Sequence, residues 1–264
     1  MGGKTRYRFF QTTITFLLFV SILIITTACQ AKHITGQAPR DSFIFIQKKL
    51  LVHQCGHKQC REEVYRSSAS GFIIKTTDYG AYGITAAHVC KRKLPITDPP
   101  LKSSANYKIT TVEGKTFKAK VLSYDMSTDI CMIFVPKMTD KDTAVIKIAK
   151  KAPEPGDRIY NIAAPAGIFV PGMVPIFEGR FNGVAERLAF YSMPAMPGSS
   201  GSVLLNEKGE AVGVLHSVYI RFPEVVLSCT YEELRDFVNY NLNKYEKYYE
   251  VMEDLELDNI FTII

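Results

Sequence analysis

Between residues 43 and 228 the sequence shows no helical period; its apolar residues come in short runs broken by turn signals. Runs of that length, with turns every ~8–12 residues, build sandwiches and barrels, so the expected fold class is all-β. Strand-like runs fall at 43–52, 71–74, 130–135, 158–163, 174–181, 188–193, 202–205, 211–215 and 224–228. Residues 107–122 read as a hairpin about Glu113-Gly114, and 206–210 as a second hairpin loop. The run 130–135 is apolar throughout and short, which predicts a strand buried on both faces. The polar stretch 136–144 is a candidate linker.

The C-terminus obeys a different rule. Thr230 and Glu233 form a capping-box pair, each side chain placed to satisfy a first-turn N–H of the other. Tyr231, Leu234, Val238, Leu242, Tyr245 and Tyr249 follow at helical spacing. The pattern predicts a helix over 230–253, its apolar face packed on the neighbouring barrel.

At the N-terminus, Lys4, Arg6 and Arg8 precede residues 9–28, which carry no charge and are rich in Phe, Leu and Ile. A positive stretch followed by an apolar one is an export signal, expected over 1–28. It ends in Thr26-Thr27-Ala28-Cys29, which resembles a bacterial lipobox, with Thr26 where Leu, Val or Ile is usual. Cys29 is therefore a candidate lipidation site and 29–42 a tether. An uncleaved membrane anchor and simple cleavage remain alternatives, because ~20 apolar residues also span a bilayer. Each of the three exports the rest of the chain.

The balance of 47% hydrophobic and 22% charged residues over 264 positions is that of a globular protein. Half of the net charge of +6 lies before Cys29, and the remainder forms no basic block, so nucleic acid is not an expected partner. The six cysteines, 29, 55, 60, 90, 131 and 229, suit an oxidising compartment. Cys55 and Cys60 enclose a short loop that one disulfide would close. His53, Cys55, His57 and Cys60 are also metal-ligand types, but an oxidising compartment favours the disulfide, and no metal site is expected. Cys131, inside the apolar run, is expected to be a buried thiol. Cys90 and Cys229 are a further pairing that sequence leaves open.

Three segments carry chemistry together. Ile84-Thr85-Ala86-Ala87-His88-Val89 ends a strand in a histidine, Ser127-Thr128-Asp129-Ile130 places an acid before a buried strand, and Pro197-Gly198-Ser199-Ser200-Gly201-Ser202 flanks two serines with glycines. A serine hydroxyl becomes a nucleophile only beside a base, and an imidazole base needs a carboxylate to hold its tautomer. The oxyanion formed on attack needs preorganised N–H donors. His88, Asp129 and Ser200 supply the first two requirements, and the N–H groups of Gly198 and Ser200 the third. Each segment alone is ordinary; their order and context together are specific.

These segments resemble those of the trypsin/chymotrypsin-fold serine peptidases, and most of all the bacterial HtrA-like group of trypsin-like peptidases. Ser70-Gly71-Phe72 is similar to that family's Ser-Gly-Phe strand, residues 84–89 to its Thr-Ala-Ala-His motif, and Gly198-Ser199-Ser200-Gly201 to Gly-Asn-Ser-Gly. The resemblance covers about 60–228. It implies two six-stranded antiparallel β-barrels, 43–136 and 145–229, with His88 and Asp129 on the first and nucleophile Ser200 on the second. Asp125 is the alternative acid, but no apolar strand follows it directly.

The departures are informative. Ser199 replaces the acid that receives a new N-terminus in zymogen-activated relatives. Pro194, in an apolar neighbourhood, replaces the acid that selects basic substrates, which favours a small or apolar side chain before the scissile bond. Ser202 and Val203 replace the usual Gly and Pro. His216 lies on the substrate-side strand, either lining the cleft or packed or exposed to solvent away from it. The reading is an exported, membrane-tethered serine endopeptidase acting on protein or peptide substrates without metal or organic cofactor. A catalytically silent peptide-binding module on the same fold is the alternative, and an esterase a third reading.

Overall fold

The computed structural model describes residues 39–55, 60–91, 102–219 and 222–254. The expected export signal, Cys29 and most of the tether lie outside the described residues, as do the 56–59 loop and the side chains of Cys55 and Cys60.

Twelve strands form two closed barrels. The first holds β1 (Phe43–Cys55), β2 (Cys60–Thr76), β3 (Gly80–Ala86), β4 (Lys102–Thr111), β5 (Thr116–Asp125) and β6 (Ile130–Pro136), in the order β1-β2-β3-β6-β5-β4. The second holds β7 (Arg158–Ile162), β8 (Ile176–Ala185), β9 (Leu188–Ser192), β10 (Val203–Leu205), β11 (Ala211–Tyr219) and β12 (Phe222–Ser228), in the order β10-β11-β12-β9-β8-β7. Read from its first strand, each barrel runs first-second-third-sixth-fifth-fourth, so the two halves share one topology. The all-β, two-barrel expectation holds.

Each barrel has its own apolar core. Ile44, Ile46, Ile73, Ile109, Ile133 and Val135 fill the first, and Ile159, Phe181, Tyr191, Leu204, Leu215 and Val226 the second. Strand β6 is buried along its whole apolar run because both faces are covered. Cys131, Ile133 and Val135 face the barrel interior. On the other face the Phe134 ring lies 5.3 Å from Tyr82.

The long β1–β2 hairpin differs from the sequence expectation. Strand β2 begins well before the Gly71 run, because β1 and β2 pair all the way from Phe43↔Phe72 to Cys55↔Cys60. Residues 62–67 of that arm are exposed, so no buried face imposes an alternating pattern on the sequence. The polar stretch 136–144 connects the barrels as a packed strap. Met138 within it and Ile146 just after it are buried, Ala144 N–H donates to the Asp41 carbonyl, and Ala149 N–H to that of Ala211.

The C-terminal helix α2 (Tyr231–Asp254) starts with the expected capping box: Glu233 N–H donates to Thr230 Oγ1, and Thr230 N–H to the Glu233 carboxylate. Tyr231 seals the second core, but the helix does not stay on that barrel. Tyr245 donates its hydroxyl to the Leu122 carbonyl, and Lys75 pairs with Glu246, so the far half lies on the first barrel. The helix therefore straps both barrels together. A four-residue helix, α1 (Ala87–Cys90), follows β3 directly and carries His88.

Candidate active site

His88 and Asp129 meet where α1 passes the start of β6. The His88 backbone N–H donates to Asp129 Oδ1 over 2.8 Å, and Nδ1 of its ring lies 2.8 Å from Oδ2. Each carboxylate oxygen thus serves a different nitrogen of one residue, which fixes the ring. Ala87 N–H adds a bond to the Asp129 carbonyl. Asp129 has a φ of +53°, a left-handed conformation that Asp tolerates better than most residues. Burial by itself would raise the Asp129 carboxyl; the hydrogen bonds from the His88 ring and backbone outweigh it and hold the carboxyl below the usual carboxylate range. Asp125 is otherwise engaged: its Oδ1 accepts the N–H and hydroxyl of Ser127 in the turn before β6.

A disulfide lies directly behind this pair. Cys90 bonds Cys131, correcting both the expectation that Cys131 is a thiol and the suggestion that Cys90 pairs with Cys229. Cys229 is a buried free thiol, pushed by burial up to about 12. The apolar run predicts the burial of Cys131, but such a run also hides a half-cystine, and only the fold brings residue 90 to it. Each bridged cysteine lies two positions after a member of the His88–Asp129 pair, so one cross-link ties helix α1 to strand β6. The end of α1 is pinned further: Lys48 Nζ donates to the carbonyls of Val89 and Lys91, each over 2.7 Å, and the Tyr107 hydroxyl to that of Cys90. A closed loop of 41 residues confers about 4 kcal/mol in the chain-entropy picture. The double replacement Cys90→Ala with Cys131→Ala is expected to cost about that much in urea unfolding. A loss below about 1 kcal/mol would show that the cross-link adds little to the packing around it.

The glycine-flanked turn sits between β9 and β10. Ser199 is buried, and its Oγ accepts from the Met196 N–H. Ser200 is half-buried. Among the five consecutive N–H groups of residues 198–202, those of Ser199, Gly201 and Ser202 donate to the carbonyls of Met196, Leu215 and Ser199. The N–H groups of Gly198 and Ser200 have no acceptor among the described residues. Gly198 takes a φ of +102° and Gly201 of +84°, regions that favour glycine. A Cβ at Gly201 would collide with Thr85 Oγ1 and the Ser70 carbonyl, so this backbone presses against the first barrel near His88. Among the described residues no hydrogen bond joins the Ser200 hydroxyl to His88.

Ser70 joins the halves of the site. It is fully buried, its N–H donates to the Ser200 carbonyl and its Oγ to the Gly198 carbonyl, while Ala164 N–H donates to that Oγ. In the sequence Ser70 is only part of a Ser-Gly-Phe strand; its cross-barrel role has no local signal. Ser202 is buried, and Asn161 Nδ2 donates to its hydroxyl and to the Val203 carbonyl, which accommodates the unusual Ser202-Val203 pair. His216, from β11, brings its Nδ1 to 3.9 Å from Asp129 Oδ2.

The trypsin-like peptidase domain family matches residues 69–214. The chain is 28% identical over 158 residues to "Putative serine protease HhoB" of Synechocystis sp., covering 56% of this chain and 34% of that protein. It is 26% identical over 167 residues to a "Probable periplasmic serine endoprotease DegP-like" of Pseudomonas fluorescens, covering 61% and 31%. The chain thus spans about a third of the length of the curated relatives it matches. The crystal structure of Rv3671c from M. tuberculosis, in an inactive form, superposes with a TM-score of 0.56 over 78% of this chain and 91% of that one, at 18% identity, a likeness of fold. With more than half of its residues matched and both barrels in place, the chain belongs to the trypsin-like peptidase domain family.

Proposed function

We propose that the protein is an exported, membrane-tethered serine endopeptidase working through Ser200, His88 and Asp129. The observation that carries this reading is the pair of N–H groups at Gly198 and Ser200 that have no acceptor among the described residues, in a stretch, 198–202, whose other three N–H groups are bonded, docked beside the His88–Asp129 pair. In the reaction, His88 Nε2 takes the Ser200 proton as Oγ bonds to the peptide carbonyl carbon. Asp129 stabilises the imidazolium, and the two N–H groups receive the oxyanion. The imidazolium then protonates the leaving amine, and water, activated by the same imidazole, hydrolyses the acyl-enzyme.

A fluorophosphonate probe tests the reading on the full chain: stoichiometric labelling supports it, and none would favour a silent peptide-binding module. Digestion of a peptide library then separates a peptidase from an esterase, and cleavage after small or apolar residues is expected from the Met193-Pro194-Ala195-Met196 neighbourhood.

The export signal at 1–28 and the periplasmic relative support a location outside the cytoplasm. With Cys29 as lipid acceptor, Cys29→Ser is expected to abolish incorporation of a clickable fatty acid that the native protein takes up. Incorporation unchanged in the variant, or absent from the native protein, would point instead to an uncleaved anchor or simple cleavage.

A further inference from the structure

Asp129 faces two imidazoles. Both approach the same carboxylate oxygen through Nδ1: His88 at 2.8 Å from Oδ2 and His216 at 3.9 Å. Oδ1 is occupied by the His88 backbone N–H. His216 comes from β11 of the second barrel, while Asp129 and His88 belong to the first, so it is a contact to the acid from across the cleft. Its side chain is 10% exposed, and its Nδ1 lies 2.9 Å from Ser217 Oγ. Nothing in the mechanism above uses it.

We propose that His216 is a positioning residue for Asp129, holding the carboxylate toward His88 while neutral and drawing its charge away when protonated. This rests on the roles given to Ser200, His88 and Asp129 above. A neutral imidazole covers the outer side of Oδ2 and leaves the negative charge to His88. A protonated one places a positive charge beside that oxygen. It offsets the field that stabilises the His88 imidazolium, and it repels the imidazolium that must form as Ser200 loses its proton.

The surroundings favour the neutral form near neutral pH. Burial lowers the His216 imidazole below its ordinary range, and the Asp129 charge, which raises it, only partly offsets this. His88 acts to lower it, whereas the Ser228 backbone on β12 and Glu233 on helix α2 act to raise it. Strand β10, paired with β11, and strand β3, packed against it from the first barrel, carry no charged residue, and β12 carries Glu224 near its start.

Two imidazoles must then be neutral for full activity, which gives the acid limb of the rate profile a second-order region. The test is the second-order rate of fluorophosphonate labelling of the full chain, from neutral pH down to about pH 5, above the range in which Asp129 titrates. In the native protein the rate is expected to fall about tenfold per pH unit at first and to steepen toward about a hundredfold. In His216→Gln it should stay near tenfold per unit throughout.

A native limb that never steepens, or a His216→Gln limb as steep as the native one, would overturn the proposal while leaving the peptidase reading intact. Failure of the native protein to label at any pH would sink both. The contact is also measurable directly: in an NMR titration, Asp129→Asn should lower the midpoint of the His216 ring proton, because the Asp129 charge that raises it is gone, and an unmoved midpoint would count against the contact.

Discussion

Ser200→Ala is expected to abolish fluorophosphonate labelling and to lower peptide turnover by about 10⁶-fold, leaving what the oxyanion donors and substrate binding supply alone. Ser199→Ala is expected to keep both labelling and most of the turnover. Two adjacent hydroxyls compete for one role, and their surroundings differ. Ser199 is buried, with Oγ accepting from the Met196 N–H at 3.5 Å, a long and weak bond whose loss costs little. Ser200 is half-buried and carries one of the two N–H groups of 198–202 that have no acceptor among the described residues, so under the proposed function its hydroxyl and its own N–H serve the same attack. Removing Oγ leaves the Ser200 backbone and its carbonyl bond from Ser70 in place, so the variant should fold and melt like the native protein. The reverse pattern, with labelling lost in Ser199→Ala and kept in Ser200→Ala, would move the site by one residue. Circular dichroism of both variants distinguishes lost chemistry from lost folding.

What was legible in the sequence follows from how local each feature is. The strands show wherever one face or both are buried: β6 reads as an unbroken apolar run because interior and exterior are both covered, and the capping box of helix α2 is written within four residues. The candidate histidine, acid and serine stand out because their flanking residues reflect the strand end or turn that holds them. Features built by folding alone stayed hidden. The cross-link between Cys90 and Cys131 joins two residues that no local pattern relates. Ser70 looks like any strand serine until its hydroxyl is seen between Gly198 and Ala164. The sequence does not decide whether His216 lines the cleft, because its neighbour, Asp129, arrives from the other barrel. The exposed arm of β2 leaves no mark for the opposite reason: with no buried side, nothing constrains its pattern.

The acid gives the second large effect. Asp129→Asn is expected to lower turnover by about 10⁴-fold with the fold intact, because of which hydrogen bonds the replacement can make. The carboxylate accepts twice from His88, at Oδ1 from the backbone N–H and at Oδ2 from the ring Nδ1–H. An amide offers one acceptor and one donor group. If its oxygen meets the backbone N–H, its NH2 faces Nδ1. The ring must then present Nδ1 as an acceptor and carry its proton on Nε2, where it cannot take the proton of Ser200. The flipped amide would set its NH2 against the backbone N–H, donor against donor, so the first arrangement prevails. Asn also tolerates the left-handed φ of +53° that this position requires, which removes a backbone reason for misfolding. Asp125→Asn is the control. Its Oδ1 caps Ser127 in the preceding turn, so it should cost at most about 1 kcal/mol of stability and leave turnover near native. Turnover lost in Asp125→Asn and retained in Asp129→Asn would transfer the role of acid from one to the other. With Asp129→Asn, burst kinetics should show slower acylation at an unchanged substrate dissociation constant, since the tautomer affects proton transfer and not binding.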